Sequence, residues 1–506
     1  MASPELPVPD GLVLRPFHGV RFAVDDPAKV TSPPYDLISN GDVQSLLDAH
    51  PNNVVRLILP CAPAHPPGLT PGMGHPLDPS SASADPSRSS TLDASGHPMA
   101  PSAQATPSAI ADPNTSGQPN ANADLTGSGI SLQPVAEPKP TSEKVDGVAP
   151  PARYGQARET LRAWLDTGVL IRDAEPAIYV YEQTGPGVMQ RGLIGDIGLA
   201  APERRIILPH ENVMPGPVAD RLALMSTTQA NLEPIFLLYD GGGPATHLVD
   251  TVASTRTALV EANTDDGVRH RLWAVTAPEE IDLINADLRD RQALIADGHH
   301  RYATYRVLQR QEHAARRTNG PWDFGLALLV DATAYPPDLK AIHRVIPDLP
   351  IDEAVARARG SWQIRDFATL ADGLTALDSV VDPAFLLAGD TGASHLLTDP
   401  DPLQLARAMP TDRSDRWNSL NTSVLTEFVL PRVWGMQDDE QAVRIVHHDA
   451  HAAVRQAART GGTAVILKPL AVDAVLAVAA EGERVPRKST SFGPKPRTGL
   501  VLRTFV

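Results

Sequence analysis

Cysteine is nearly missing. Cys61 is the one cysteine in 506 residues, so an internal disulfide or a cysteine metal cluster is excluded. That usage is expected of a reducing cytoplasm. Long apolar runs are missing too, and none reaches the roughly 20 residues that a membrane span needs. The nearest, AVILKPLAVDAVLAVAA, is broken by Lys468, Pro469 and Asp473 and reads as strand, turn and helix. The opening MASPELPVPDGLVL has neither the basic start nor the apolar core of a secretory signal. Positive charge is in deficit: 44 Lys and Arg against 60 Asp and Glu leave a formal net charge of −16. This argues against non-specific nucleic-acid binding, which neutralises phosphates with Lys and Arg. It still allows a local basic pocket for a small phosphorylated ligand. No Walker A lysine loop and no G-x-S-x-G elbow occurs. The spaced glycines of GLIGDIG lie in a strand pattern and lack the context of a dinucleotide fingerprint, so neither flavin nor NAD is expected.

What is present divides the chain. Residues 62–151 are nearly all Pro, Ala, Ser, Gly, Asp, Asn and Thr; with so few branched or aromatic side chains, burial cannot offset the entropy of ordering. This stretch is read as a disordered insertion in a surface loop. Residues 1–61 are then the first part of a core domain and 152–349 its continuation. Residues 350–480 read as a second, smaller α/β unit, and 481–506 as a segment returning to the site. Strand-like runs (NVVRLILP, AIYVYEQ, RGLIGDIGLA, PIFLLYD, RHRLWAVT, QALIADG, DFGLALLVDA) alternate with helical ones (YGQARETLRAWLDTGVL, DRLALMSTTQANL, EEIDLINADLRD, HRYATYRVLQRQEHAARR). The expectation is a mixed α/β or α+β fold.

Four stretches carry chemistry. In LIADGHHRYAT a buried strand runs into Asp297, Gly298, His299, His300 and Arg301, and then a helix begins. A glycine turn opening a helix presents free N–H groups and the positive end of the dipole, which suits an anion. Arg301 adds a planar fork of donors. The two histidines could bind phosphate, move protons or ligate a metal, and Asp297 could orient them or cap the helix. In LPHENVMPGPVADRLAL, His210 and Glu211 sit in a Pro/Gly-rich loop ahead of Asp220 and Arg221. In TSPPYDLIS, two prolines deliver Tyr35 and Asp36 in a fixed geometry, or merely lead a turn into the next helix. In VPRKSTSFGPKPRTGL, Arg487, Lys488, Ser489 and Thr490 offer two cations and two hydroxyls to a phosphate or carboxylate, or form a basic surface loop before a last strand. His447, His448 and His451 read as surface or helix-end histidines.

SPPYDLIS, NVVRLILP, LPHENVMPGPVADRLALM, NLEPIFLLY, ADGHHRY and KSTSFGPKPRTGLV, in that order, resemble the bacterial and archaeal family known as domain of unknown function 1015. Two places depart from that family's pattern: His18 replaces an arginine in RPFHGV, and Ser491 and Gly493 flank Phe492 where further aromatics are usual. Locally, Asp297, Gly298, His299 and Arg301 are similar to the Asp-Gly-His-X-Arg of the free-serine-kinase branch of the ParB-like superfold. That superfold includes partition proteins and sulfiredoxin, whose cysteine this motif lacks. The resemblance implies a ParB-like strand–loop–helix element within the core.

Three functions are compatible with these residues. The leading expectation is a phosphotransferase acting on a small hydroxylated metabolite such as free serine, or the related phosphatase. There Gly298–Arg301 would hold phosphoryl oxygens and His299 or His300 would stabilise charge. Glu211 or Asp36 would act as base, with Asp297, Tyr35, His210, Arg221, Lys488, Ser489 and Thr490 binding substrate or phosphate. Mg2+ and a nucleotide or other phosphate donor are implied. The second is a hydrolase with Zn2+ or Mn2+ on His210, Glu211, His299 and His300; the third is a non-catalytic nucleotide or metabolite sensor. A small-molecule partner is expected in each, with no nucleic acid and no membrane. On sequence alone, replacing His299 or Arg301 should remove ligand binding with little change in melting temperature.

Overall fold

A computed structural model describes residues 6–60, 152–316, 318–439 and 441–505. The Pro/Ala/Ser-rich insertion expected at 62–151 lies outside the described residues. The chain forms a mixed α/β fold, as its alternating pattern predicts.

Nine strands build the main sheet: β1 (Leu14–Arg15), β2 (Ile178–Gly185), β3 (Val188–Gly198), β4 (Ile207–Leu208), β5 (Ile235–Tyr239), β6 (Val260–Asn263), β7 (Arg269–Val275), β8 (Ala293–Asp297) and β9 (Phe324–Asp331). Their order is β4-β8-β5-β9-β3-β2-β7-β6, with β1 paired to β3. The β2–β3 hairpin and the β7–β6 edge are antiparallel, whereas β5–β9 and β4–β8 are parallel. Central strands such as IFLLY and ALIAD are buried along their length because the sheet is covered on both faces. Side chains of these strands alternate between two cores. Ile178, Val180, Ile235, Leu237 and Ile295 face one, and Tyr179, Tyr181, Phe236, Leu238 and Leu294 the other, as period-two geometry requires.

A six-stranded antiparallel sheet follows: β10 (Ile342–Ile346), β11 (Gln363–Phe367), β12 (Phe385–Ala388), β13 (Ser394–Thr398), β14 (Arg444–His447) and β15 (Thr463–Ile466), in the order β11-β13-β12-β15-β10-β14. A helix (Ile351–Ala358) and the Trp362–Phe428 ring stack sit over one face of it.

The C-terminal segment joins distant parts of the chain. Leu502–Thr504 inserts between Gly19–Phe22 and Ala230–Asn231, and Ser491–Gly493 pairs with Asp338–Lys340. A bridge between Ser32 and Thr498 ties the Pro-Pro-Tyr-Asp turn to the same segment.

NVVRLILP is not a strand. Val55–Ile58 form a short helix. Asn53 pins it by accepting from the Val55 amide at 3.0 Å while donating to the carbonyls of Lys29 and Thr31 at 2.8 and 3.1 Å. Val54, Val55, Leu57 and Ile58 are wholly buried, and a short run apolar on every side does not distinguish strand from helix.

Candidate functional site

The site gathers where β8 ends. Gly298 makes the turn at φ +93°, a conformation that glycine adopts without a Cβ penalty. A Cβ here would come within 3.0 Å of Ile235 and 3.2 Å of the Arg301 guanidinium. Helix α3 (His299–Arg316) starts directly afterwards, so its first N–H groups open at the strand end. Asp297 does not cap it. Its Oδ2 accepts from Arg301 Nη2 at 2.5 Å and its Oδ1 meets Lys495 Nζ at 2.5 Å, so both oxygens face side-chain cations.

Lys495 is the hinge of this arrangement. Its ammonium also lies 2.5 Å from Asp36 Oδ2, bridging the Pro-Pro-Tyr-Asp turn to the strand end. Burial alone would raise the Asp36 carboxyl, but Lys495 and then Arg301 hold it below the usual carboxylate range. The same two acids raise the Lys495 ammonium against its own desolvation. Asp36 keeps 37 % of its side-chain surface exposed, while Asp297 and Lys495 keep 12 % and 14 %. The bridge therefore forms one side of the site, with Asp36 its most exposed member.

Arg301 is more enclosed than its motif suggests. It is 5 % exposed; Nη1 donates to the Pro234 carbonyl, Nη2 to Asp297, and Nε has no hydrogen-bond partner among the described residues. Tyr35 lies between two guanidinium groups, Arg221 4.6 Å and Arg301 5.9 Å from its ring centroid. Beneath them is Glu233, buried, accepting from the Tyr35 amide at 3.0 Å and the Thr498 hydroxyl at 3.1 Å. Desolvation pushes Glu233 up, and Arg301 and Arg221 oppose it. Arg221 is itself buried, paired to Asp220 and donating to the Ile58 carbonyl.

The opposite wall is the His210–Glu211 loop. The adjacent histidines of α3 hold it: the His210 amide donates to His299 Nε2 at 3.3 Å, and the Met214 amide to His300 Nε2 at 3.0 Å. The His210 and His299 rings meet edge-on, 4.6 Å between centroids. Arg484 donates to the Pro209 carbonyl and the Val485 amide to that of His210. Thr490 completes the wall by donating to Glu211 Oε1 at 3.0 Å, with His210 Nε2 2.8 Å from the same hydroxyl. The hydroxyl proton is thus given to Glu211 and the His210 Nε2–H to the hydroxyl oxygen. Burial pushes Glu211 up, partly countered by Lys488 and Thr490. Lys488 is exposed at φ +52°, its carbonyl held by Arg344 Nη2 at 3.0 Å.

Tyr35, Asp36, His210, Glu211, Asp297, Gly298, His299, His300, Arg301, Lys488 and Thr490 therefore converge. Arg221 lies behind Tyr35, and Ser489 turns away to the Pro486 carbonyl at 2.7 Å. Sequence reasoning missed Lys495, Glu233, Arg344 and Arg484. Lys495 lies in the quoted terminal motif, and only its pairing with two acids distinguishes it from Lys488. His447, read as a surface histidine, is lowered to about 4 by burial and by Lys488, so it sits near the same cations.

Among the described residues no group of three or more His, Cys, Asp and Glu is arranged to hold a metal ion. The carboxylates that Mg2+ would need, Asp36 and Asp297, already have a cation between them. The imidazoles proposed for Zn2+ or Mn2+ use Nε2 for Thr490 and for two backbone amides. These residues do not fit the expected metals as arranged. Among the described residues no helix is long and apolar enough to cross a membrane.

His210 gives the site a pH signature. Burial, then Arg484, lower it to about 3 from 6.5. A folded-state value below the unfolded one means that its contribution to stability is complete above about pH 6.5 and is lost as pH falls toward about 3. Glu211 and Glu233, both raised, act in the opposite sense, so the test is a difference. Between about pH 6.5 and 4 the unfolding free energy of the native chain should fall more steeply than that of His210→Gln, by up to about 1.4 kcal/mol per pH unit. Parallel profiles from chemical denaturation would show that His210 does not carry the effect.

Fold and site together define a mixed α/β protein with an ion-paired cluster of polar side chains at a strand–glycine–helix turn. The family described as "Protein of unknown function (DUF1015)" matches residues 14–68 and 120–422, and the chain belongs to it. Residues 69–119, between the two matched parts, fall inside the Pro/Ala/Ser-rich stretch, and residues 1–13 and 423–506 lie outside the match. No curated protein matches. Among solved structures, a free serine kinase in complex with AMP is 12 % identical, covering 61 % of this chain and 92 % of its own, with a TM-score of 0.32. A conserved hypothetical protein from Pyrococcus furiosus is 12 % identical over 62 % and 95 %, TM-score 0.31. SbnI with a C-terminal truncation, from Staphylococcus aureus, is 10 % identical over 61 % and 85 %, TM-score 0.31. At these scores the likeness carries no functional inference.

Proposed function

We propose that the chain is a small-molecule phosphotransferase that moves a phosphoryl group from a nucleotide to a hydroxylated metabolite of the free-serine kind. The observation that carries this is a half-buried carboxyl, Glu211, held by Thr490 near a glycine turn that opens a helix. Backbone N–H groups at the start of α3 receive phosphoryl oxygens, and Lys488 and Lys495 supply positive charge beside them. Glu211 takes the proton of the acceptor hydroxyl as its oxygen bonds to phosphorus and the bond from phosphorus to the nucleotide's leaving oxygen breaks. Arg301 and His299, being buried and internally bonded, hold Asp297, Tyr35 and the His210 loop in place. Asp36 fixes Lys495. His300, half-buried, faces Lys488 and anchors the loop at Met214.

Phosphorus NMR of the purified chain tests this, offering ATP, ADP or pyrophosphate with Mg2+ against a panel of hydroxylated metabolites that includes serine. A new phosphomonoester signal is expected, with turnover reduced about a hundred- to ten-thousand-fold in Glu211→Gln while nucleotide binding persists. Unchanged spectra with every donor would sink the transferase reading. The extent to which His299 and Arg301 are bonded internally favours a sensor as the second reading. Tight nucleotide binding without turnover, equal in Glu211→Gln, would establish it.

A further inference from the structure

A cavity of about 510 Å³ lies elsewhere, lined by Arg15, Phe17, Asp196, Phe324 and Phe505 among others. That volume is in the range of small-molecule sites. Its charged groups are arranged unusually. Arg15 on β1 and Asp196 on β3 are direct cross-strand partners, so their side chains rise from the same face about 5 Å apart at Cβ. Opposite charges so placed ordinarily close on each other, yet these two form no ion pair. The Arg15 guanidinium lies over the Phe324 ring instead, 4.4 Å from its centroid. It is exposed and makes no hydrogen bond or ion pair among the described residues.

Asp196 is 8 % exposed. Its Oδ1 sits 2.5 Å from Arg503 Nε but is buried without a hydrogen-bond partner among the described residues, and its Oδ2 accepts no hydrogen bond among them either. Arg503 is largely committed elsewhere: Nη1 donates to Asn231 Oδ1 at 2.9 Å and the Phe324 carbonyl at 3.4 Å, and Nη2 to the Pro321 carbonyl at 2.7 Å. The cavity thus offers one free guanidinium, one free carboxylate oxygen and aromatic rings between and beside them. Burial pushes the Asp196 carboxyl up to about 6, against the pull of Arg503 and Arg15. A buried acid with a vacant oxygen gains most from a cation brought to it.

We propose that this cavity is a second ligand site, taking a small zwitterion that bears an apolar group, the chemistry of an apolar α-amino acid. Arg15 receives the carboxylate, Asp196 Oδ2 the ammonium, and Phe324 and Phe505 the apolar group. The cavity is separate from the site at Gly298, though the chain links them. Asn231, which holds Arg503, stands two residues before Glu233, which holds Tyr35.

Titration calorimetry on the full chain with three probes tests it: L-phenylalanine, phenylacetate and phenethylamine. L-phenylalanine should bind about tenfold or more tightly than either singly charged probe. Arg15→Gln should weaken L-phenylalanine and phenylacetate by about tenfold and leave phenethylamine unchanged. Asp196→Asn should do the reverse. Because Asp196 also anchors Arg503, Arg15→Gln at an exposed position is the decisive variant. Glu211→Gln should leave all three affinities unchanged. No saturable heat with L-phenylalanine at about ten millimolar, a millimolar dissociation constant being the weak limit of such sites, would overturn the proposal. So would equal binding by Arg15→Gln, or loss of binding in Glu211→Gln.

Discussion

Replacing Lys495 by methionine is expected to lower the unfolding free energy at neutral pH by about 3 kcal/mol, the scale for removing one partner of a buried charge pair. The lysine ammonium is the shared partner of Asp36 and Asp297, at 2.5 Å from each, and without it the two carboxylates face each other. Arg301 still neutralises Asp297, so the fold should survive. The deficit should narrow as pH falls below about 4, where unpaired carboxylates take up protons. In the native chain the sign is the usual one for an acid held below its ordinary range. The stabilisation from Asp36 is present above the unfolded value of 3.8 and is lost as pH falls through the lower folded value. Adding Asp36→Asn to the methionine variant should recover part of the loss, because one of the two like charges is gone. Denaturant melts at two pH values provide the comparison. A loss under about 1 kcal/mol at neutral pH, within the range of exposed ion pairs, would show that the bridge contributes little.

Arg301→Ala is expected to cost more, about 3 to 5 kcal/mol, because it leaves Asp297 and Glu233 in low-dielectric surroundings without the guanidinium. The side chain is 5 % exposed and donates to both the Pro234 carbonyl and Asp297. Arg301→Lys should recover only part of this. An ammonium is a point charge and cannot span both acceptors in the guanidinium plane. The expectation from sequence is different: there Arg301 faces the ligand and its removal changes the melting temperature little. Equilibrium unfolding of both variants decides the matter. A stability within about 1 kcal/mol of wild type, the ordinary range of surface substitutions, would return Arg301 to a ligand-facing role.

The sequence by itself determined the alternation of strands and helices, because period-two and period-3.6 apolar patterns reflect which face is buried. It marked the Gly298 turn, since only an acid–glycine–histidine run between a buried strand and a helix pattern reads that way. It also singled out the His210–Glu211 loop and the Tyr35–Asp36 turn as polar stretches without a core role. Other features were decided only by the tertiary structure. Lys488 and Lys495 are two lysines of one loop until one of them is found between two carboxylates. Asp297 looks like a helix cap until Arg301 and Lys495 occupy its oxygens. NVVRLILP is ambiguous until Asn53 bonds it into a turn. Arg15 and Asp196 stand 181 positions apart in sequence and become neighbours only through the β1–β3 pairing. Periodicity is a local property carried by a few consecutive residues, whereas charge pairing and desolvation depend on which distant segments the chain brings together.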